Sequence, residues 1–98
     1  MSEGTIEGLW YIQAGDDGKN NRAPLLARVS EDTYMLAFSN AAKARSFIQQ
    51  MNITQADVGM IVRGNLEEVR GQLRQFGAIG VIIDYDPETR AYAAARAA

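Results

Sequence analysis

Tyr34-Met35-Leu36-Ala37-Phe38-Ser39-Asn40-Ala41-Ala42-Lys43-Ala44-Arg45-Ser46-Phe47-Ile48 decides the fold, because a strand runs through a small polar elbow straight into an amphipathic helix. Residues 33–38 carry the aromatic and apolar side chains that suit a pleated, buried surface. Asn40 is the better N-cap and Ser39 the alternative, since either side chain can accept a bond from the open amides of the first helical turn. Ala44, Phe47, Ile48 and Met51 then recur at i, i+3, i+4 and i+7, which predicts a helix with one apolar stripe ending near Asn52.

Upstream of the elbow, residues 9–14 read as a strand from Trp10, Tyr11 and Ile12. Gly15 to Arg22 are nearly all turn formers and predict a loose hairpin connection. Pro24 opens a second strand, 25–30, where its missing N–H is tolerated, and Glu31-Asp32 turns the chain into the strand of the elbow. Downstream, 58–63 is a short strand and Gly64 a bend, with Asn65 and Glu68 in the N-x-x-E form of a capping box. Leu66, Val69, Leu73 and Phe76 supply the stripe of a second helix, Gly77 its stop, and 80–85 a buried strand.

The order βββα-β-αβ predicts a single α+β domain over residues 1–98, with a mixed sheet of about five strands in one layer. Two helices pack most simply on one face of a sheet this small. Asp86-Pro87-Glu88-Thr89 has the form of a helix start, so residues 87–98 are expected either as a docked C-terminal helix or as a frayed tail.

Composition narrows the chemistry. The chain has 98 residues, 47% hydrophobic and 22% charged, with a formal charge of −2 and neither Cys nor His. Thiolate and imidazole chemistry are thereby removed, including Ser-His-Asp triads, H-E-x-x-H zinc sites and disulfides. The mild acidity provides no general field toward phosphate backbones or anionic membranes, so no nucleic-acid or membrane partner is expected. No apolar run reaches the ~20 residues of a membrane span and residues 1–5 do not resemble a signal peptide, so a cytoplasmic protein is expected.

Few side-chain groupings carry a chemical signal. Asp16, Asp17, Asn20 and Asn21 offer oxygen ligands but lack the frame of a calcium loop, and read as a solvated turn. The glycines form neither G-x-G-x-x-G nor a Walker sequence. Arg70 and Arg74 share a helix face with Glu67 and read as a solvated surface. Asp84 and Asp86 bracket Tyr85 at the end of the last strand, where Asp86 reads as a cap before Pro87 and Asp84 as a partner for Arg63 or Arg28. No metal, cofactor or catalytic residue is assigned.

The strands raise a different question, because several are apolar on both sides. With both helices on one face, the other needs the C-terminal segment, a partner protein or a second copy to cover it. Trp10, Tyr11, Leu26, Arg28, Met35 and Ile82 are the candidate surface, though a one-residue register shift would exchange Trp10 with Tyr11.

The run Leu36-Ala37-Phe38-Ser39-Asn40-Ala41-Ala42-Lys43-Ala44 resembles the N-terminal domain of the SseB (enhanced serine sensitivity) family, in which a strand enters a helix through a Phe-Thr-Ser-Pro-Glu-like elbow. Ile79-Gly80-Val81-Ile82-Ile83-Asp84-Tyr85-Asp86-Pro87 is similar to that family's glycine, apolar strand and Asn-Pro ending, with Asp86 replacing the Asn. The resemblance implies an α/β domain without established catalytic residues. Together these readings predict a small non-enzymatic domain that acts through protein association, foremost as a homodimer. The alternative is a small-molecule-binding or hydrolytic domain with its site at the strand end around Asp84, Tyr85 and Asp86.

Overall fold

A computed structural model describes residues 6–15 and 23–97. The expected turn at 16–22, with the oxygen ligands of Asp16, Asp17, Asn20 and Asn21, lies outside the described residues. The elements are β1 (Trp10–Ala14), β2 (Ala23–Pro24), β3 (Leu26–Val29), β4 (Asp32–Phe38), α1 (Ala41–Gln50), β5 (Ala56–Met60), α2 (Leu66–Gln75), β6 (Ala78–Ile83) and β7 (Ala94–Ala97), in the expected order through β6 apart from a split second strand. The strands form one mixed, open sheet, so the class is α+β.

The middle of the sheet is the parallel pair β4 and β6, joined in register from Tyr34↔Gly80 to Ala37↔Ile83. β5 flanks β1 along the other edge, from Trp10↔Met60 to Ala14↔Ala56. The predicted second strand is broken into β2 and β3 at Leu25. β1 pairs with β2 at Gln13↔Pro24 and with β4 at Trp10↔Phe38, and β3 pairs with β4 at Leu26↔Met35, all antiparallel. Three stretches each antiparallel to the other two cannot lie straight in one plane, so the chain bends at Leu25. Its N–H donates to the Ile12 carbonyl at 3.2 Å while its carbonyl accepts from the Leu36 N–H at 3.0 Å, so one residue stitches β1 to β4.

The helices lie on opposite faces of the sheet, which corrects the expectation of two helices on one. Ala44 and Phe47 of α1 pack with Ile12, Leu36, Phe38 and Ile82. Val69 and Leu73 of α2 pack with Met35, Ala37, Val81 and Ile83. Alternate residues of β4 and β6 thus go to different helices, as the pleat requires. The physical reason is the route of the chain: after α1 it crosses to the far edge as β5, and α2 returns to β6 under the other face. The apolar residues on both sides of the central strands are covered within the chain.

The second difference is the C-terminus, where β7 is a paired strand and neither a docked helix nor a frayed tail. A short alanine-rich helix with few large side chains to dock is marginal in water. Pairing with β6 from Gly80↔Ala97 to Ile83↔Ala94 satisfies backbone groups that β6 would otherwise leave open. Gly80 permits the approach, since a Cβ there would run into the Arg96 carbonyl oxygen and lie 3.0 Å from its carbon and 3.1 Å from the Ala97 Cα.

Helix ends follow local chemistry. Asn40 caps α1 with extended backbone at φ −152°, its Oδ1 accepting from the Lys43 N–H at 2.9 Å. Gly77, at φ 75°, ends α2 as expected. Asn65 departs from its expected role: its Oδ1 accepts from the Val62 N–H at 2.8 Å and its Nδ2 donates to the Met60 carbonyl at 3.1 Å, so it ties the end of β5 instead of capping α2. One 3-10 turn, Arg63–Asn65, leads into that helix.

The tight seat at Gly80 makes a prediction. Gly80→Ala should cost about 1–3 kcal/mol, typical of an overpacked contact, by pushing β7 off the sheet. Urea unfolding should report the loss, and amide exchange at residues 94–97 should become fast while β4 stays protected. An unchanged midpoint with β7 still protected would contradict the packing described.

Candidate functional site

The carboxyl ends of β4 and β6 lie side by side, and a cleft of about 540 Å³ opens just outside them. Its floor includes the rings of Phe38 and Phe47, both buried, with centroids 5.5 Å apart and planes tilted by 53°. Lys43, Ser46 and Gln50 project from α1 to form one wall. Residues 84–88, the loop leaving β6, form the other.

Asp84 holds the two walls together. Its N–H donates to the Ala37 carbonyl at 2.9 Å, continuing the β4–β6 ladder by one bond. Its Oδ1 accepts from the Ser39 N–H at 2.9 Å and its Oδ2 from the Ser39 Oγ at 2.9 Å, while the Lys43 Nζ stands 3.3 Å from Oδ2. This clasp joins the elbow to the end of the last core strand. Asp84 has φ 59°, in the left-handed region that Asp tolerates better than most side chains. Partial burial opposes ionisation, but the hydrogen bonds from Ser39 and Lys43 and the charge of Lys43 outweigh it and hold the carboxyl below its ordinary value. The expected partners Arg63 and Arg28 are not the ones used; Lys43 is, because α1 starts beside the end of β6.

Beyond the clasp the loop folds on itself. Asp86 donates its N–H to the Ala91 carbonyl at 2.8 Å, and its own carbonyl accepts from the Arg90 N–H at 2.7 Å. Its Oδ1 accepts from the Glu88 N–H at 3.0 Å, so Asp86 does cap a turn, but Arg90 at φ 63° reverses the chain into β7 where a helix or a frayed tail was expected. Tyr85 is half-buried against the α1 side of the core. Asp84, Tyr85 and Asp86 therefore do come together at one cleft, with Asp84 as its clasp.

The six residues expected to share an interaction surface do not share one. Met35 and Ile82 are fully buried, on opposite faces of the sheet. Trp10 packs on the α1 side and Tyr11 on the α2 side. Burial, helped by the Glu68 carboxylate, pushes the Tyr11 phenol above its ordinary pKa. Leu26 and Arg28 alone are exposed. The expectation fails because it placed both helices on one face; a helix on each packs over Trp10, Tyr11, Met35 and Ile82.

Sequence reasoning missed Ser39 and Lys43 as partners of Asp84, and the paired Phe38 and Phe47 rings as a floor. The signal was partial: a polar elbow and a strand-end carboxylate were visible, but nothing local joins positions 45 residues apart. Among the described residues no group of three acidic side chains comes together in a metal-holding arrangement, and no helix is long and apolar enough to cross a membrane. Neither a protein-family model nor a curated protein matches the chain.

Asp84 sets a pH-dependent prediction. A carboxyl whose folded pKa is depressed contributes stability above its unfolded value, and that contribution fades as pH falls from the ordinary 3.8 through the lower folded value. Asp84→Ala should cost about 1–2 kcal/mol at neutral pH, the scale of a lost cap, and should flatten the acid limb of the stability curve below about pH 4. Asp84→Asn, which keeps an acceptor and tolerates the backbone angle, should cost less. Urea midpoints between pH 2.5 and 7 would check this, and parallel curves for wild type and Asp84→Ala would refute the clasp.

Proposed function

We propose that this chain is a small, non-enzymatic binding domain whose ligand site is the cleft between α1 and the loop after β6. The observation that carries the reading is its position and size: about 540 Å³, outside the carboxyl ends of two adjacent parallel strands. Ligand pockets typically span ~300–1,000 Å³, and open α/β sheets place them at strand carboxyl ends. Buried aromatic rings below and a few polar side chains on the walls are the usual makings of such a site. Asp84 is the strongest candidate for a general base, yet its oxygens are engaged by Ser39 and Lys43 and its carboxyl is stabilised in the ionised form. Those contacts favour binding over hydrolysis.

We carry the SseB-like resemblance forward within this reading, because the two segments that bear it, 36–44 and 79–87, are the segments joined at the clasp. The net charge of −2 argues against nucleic acid as the ligand, and a cytoplasmic setting belongs to the same proposal. Nitrogen-15 NMR with a fragment library should show shifts clustered at residues 43–50 and 84–88. Ser46→Trp, which fills the cleft from an exposed helix position, should abolish them without unfolding the domain. Shifts scattered elsewhere, or none, would defeat the proposal.

A second reading, association with a protein or a second copy, is favoured by one observation. β7 is exposed along its whole length and pairs on one side with β6, with no strand on its other side among the described residues. A bare edge without proline or bulge is a template for strand addition. Sedimentation across a dilution series should show a concentration-dependent dimer on this reading; a strict monomer at high micromolar concentration would dismiss the homodimer.

A further inference from the structure

We infer that the cleft takes a cationic ligand, a primary amine or guanidinium carried on an aliphatic or aromatic body. This rests on the cleft being the binding site proposed above. The sign of the charge follows from which groups are already satisfied. Lys43 is the cation among the described residues of the lining, and its ammonium is held by Asp84. At the start of α1, where an anion would ordinarily be drawn to free amides, two of the nearby amides are engaged from within: the Ser39 N–H binds Asp84 and the Lys43 N–H binds Asn40.

Two negative charges remain. Asp86 and Glu88 are exposed on the loop wall, and neither forms an ion pair among the described residues. An anionic guest would meet both carboxylates with no uncommitted cation to offset them. A cationic guest pairs with them through charge-assisted hydrogen bonds. Its apolar body can lie over Phe38 and Phe47, as the ligand's charge approaches the Tyr85 ring. The Ser46 hydroxyl and Gln50 amide on the facing wall can orient it.

Titration calorimetry and nitrogen-15 NMR with phenethylamine, agmatine and N-acetylarginine amide, against phenylacetate as the anionic counterpart of the first, test the inference. Phenethylamine should bind and shift Ser46, Gln50 and Tyr85, while phenylacetate should not. Glu88→Gln, at an exposed position, and Asp86→Asn, which keeps the acceptor for the Glu88 N–H, should each weaken binding about tenfold. Glu67→Gln, on α2, should leave it unchanged. Agmatine binding alone supports a free amine as the ligand, and equal binding of N-acetylarginine amide supports the basic side chain of a peptide. Phenylacetate binding as tightly as phenethylamine, or an Asp86→Asn/Glu88→Gln variant that binds like wild type, overturns the cationic assignment and leaves the cleft reading standing. No shift at the cleft with any probe overturns both.

Discussion

Burying both faces of β4 and β6 is the constraint on which the remaining structure depends. Met35, Ala37, Val81 and Ile83 need cover on one side, and Leu36, Phe38 and Ile82 on the other. A parallel pair in the middle of a small sheet has no face to give to water. One helix per face is the smallest solution, and it dictates the chain's path. α1 must leave β4 toward one face, the chain must cross the sheet as β5, and α2 must return under the other. The strand connections therefore follow from where apolar side chains alternate.

That path also creates the cleft. α1 starts at the carboxyl end of β4 and leans over one face, while the neighbouring β6 ends beside it and continues into a loop that feeds β7. Two segments diverging from adjacent parallel strands leave a crevice, which is why strand carboxyl ends so often hold ligands. Asp84 limits how far they diverge. Its carboxylate ties the loop side to Ser39 and Lys43, and its backbone N–H extends the ladder to Ala37. The same carboxylate neutralises Lys43 and occupies the elbow amide, so one residue sets both the width of the cleft and the charge left on its walls.

Much of the architecture was legible in the sequence, because it is written in local patterns. The elbow at Ser39-Asn40, the stripe of Ala44 and Phe47, the stop at Gly77 and the element order depend on neighbours within a turn or two. What escaped is nonlocal. Leu36 and Met35 alternate visibly, but which helix covers which is set by the chain's return path, and that is not periodic. The tail shows the same limit: residues 91–97 have the composition of a helix, yet the open edge of β6 and the absence of a side chain at Gly80 make a strand the better pairing. Propensity yields where tertiary hydrogen bonds are on offer. At the site, Asp84, Tyr85 and Asp86 were visible as a group, whereas the partners of Asp84 were not.

The position of Asp84 explains why a carboxylate stands at a backbone angle of φ 59°. Glycine would adopt that angle with less strain, but it would supply no acceptor for Ser39 and no counter-charge for Lys43. Without that counter-charge, Lys43 would bring a free positive charge to the cleft, and the exposed amide of Ser39 would add to it. The two carboxylates of Asp86 and Glu88 would then be opposed by an uncommitted Lys43, and the wall would lose part of its negative character. Asp, which tolerates the left-handed region and brings both oxygens, meets the backbone requirement and the electrostatic one together. The strand end, the elbow before α1 and the compensation of Lys43 thus meet in one side chain.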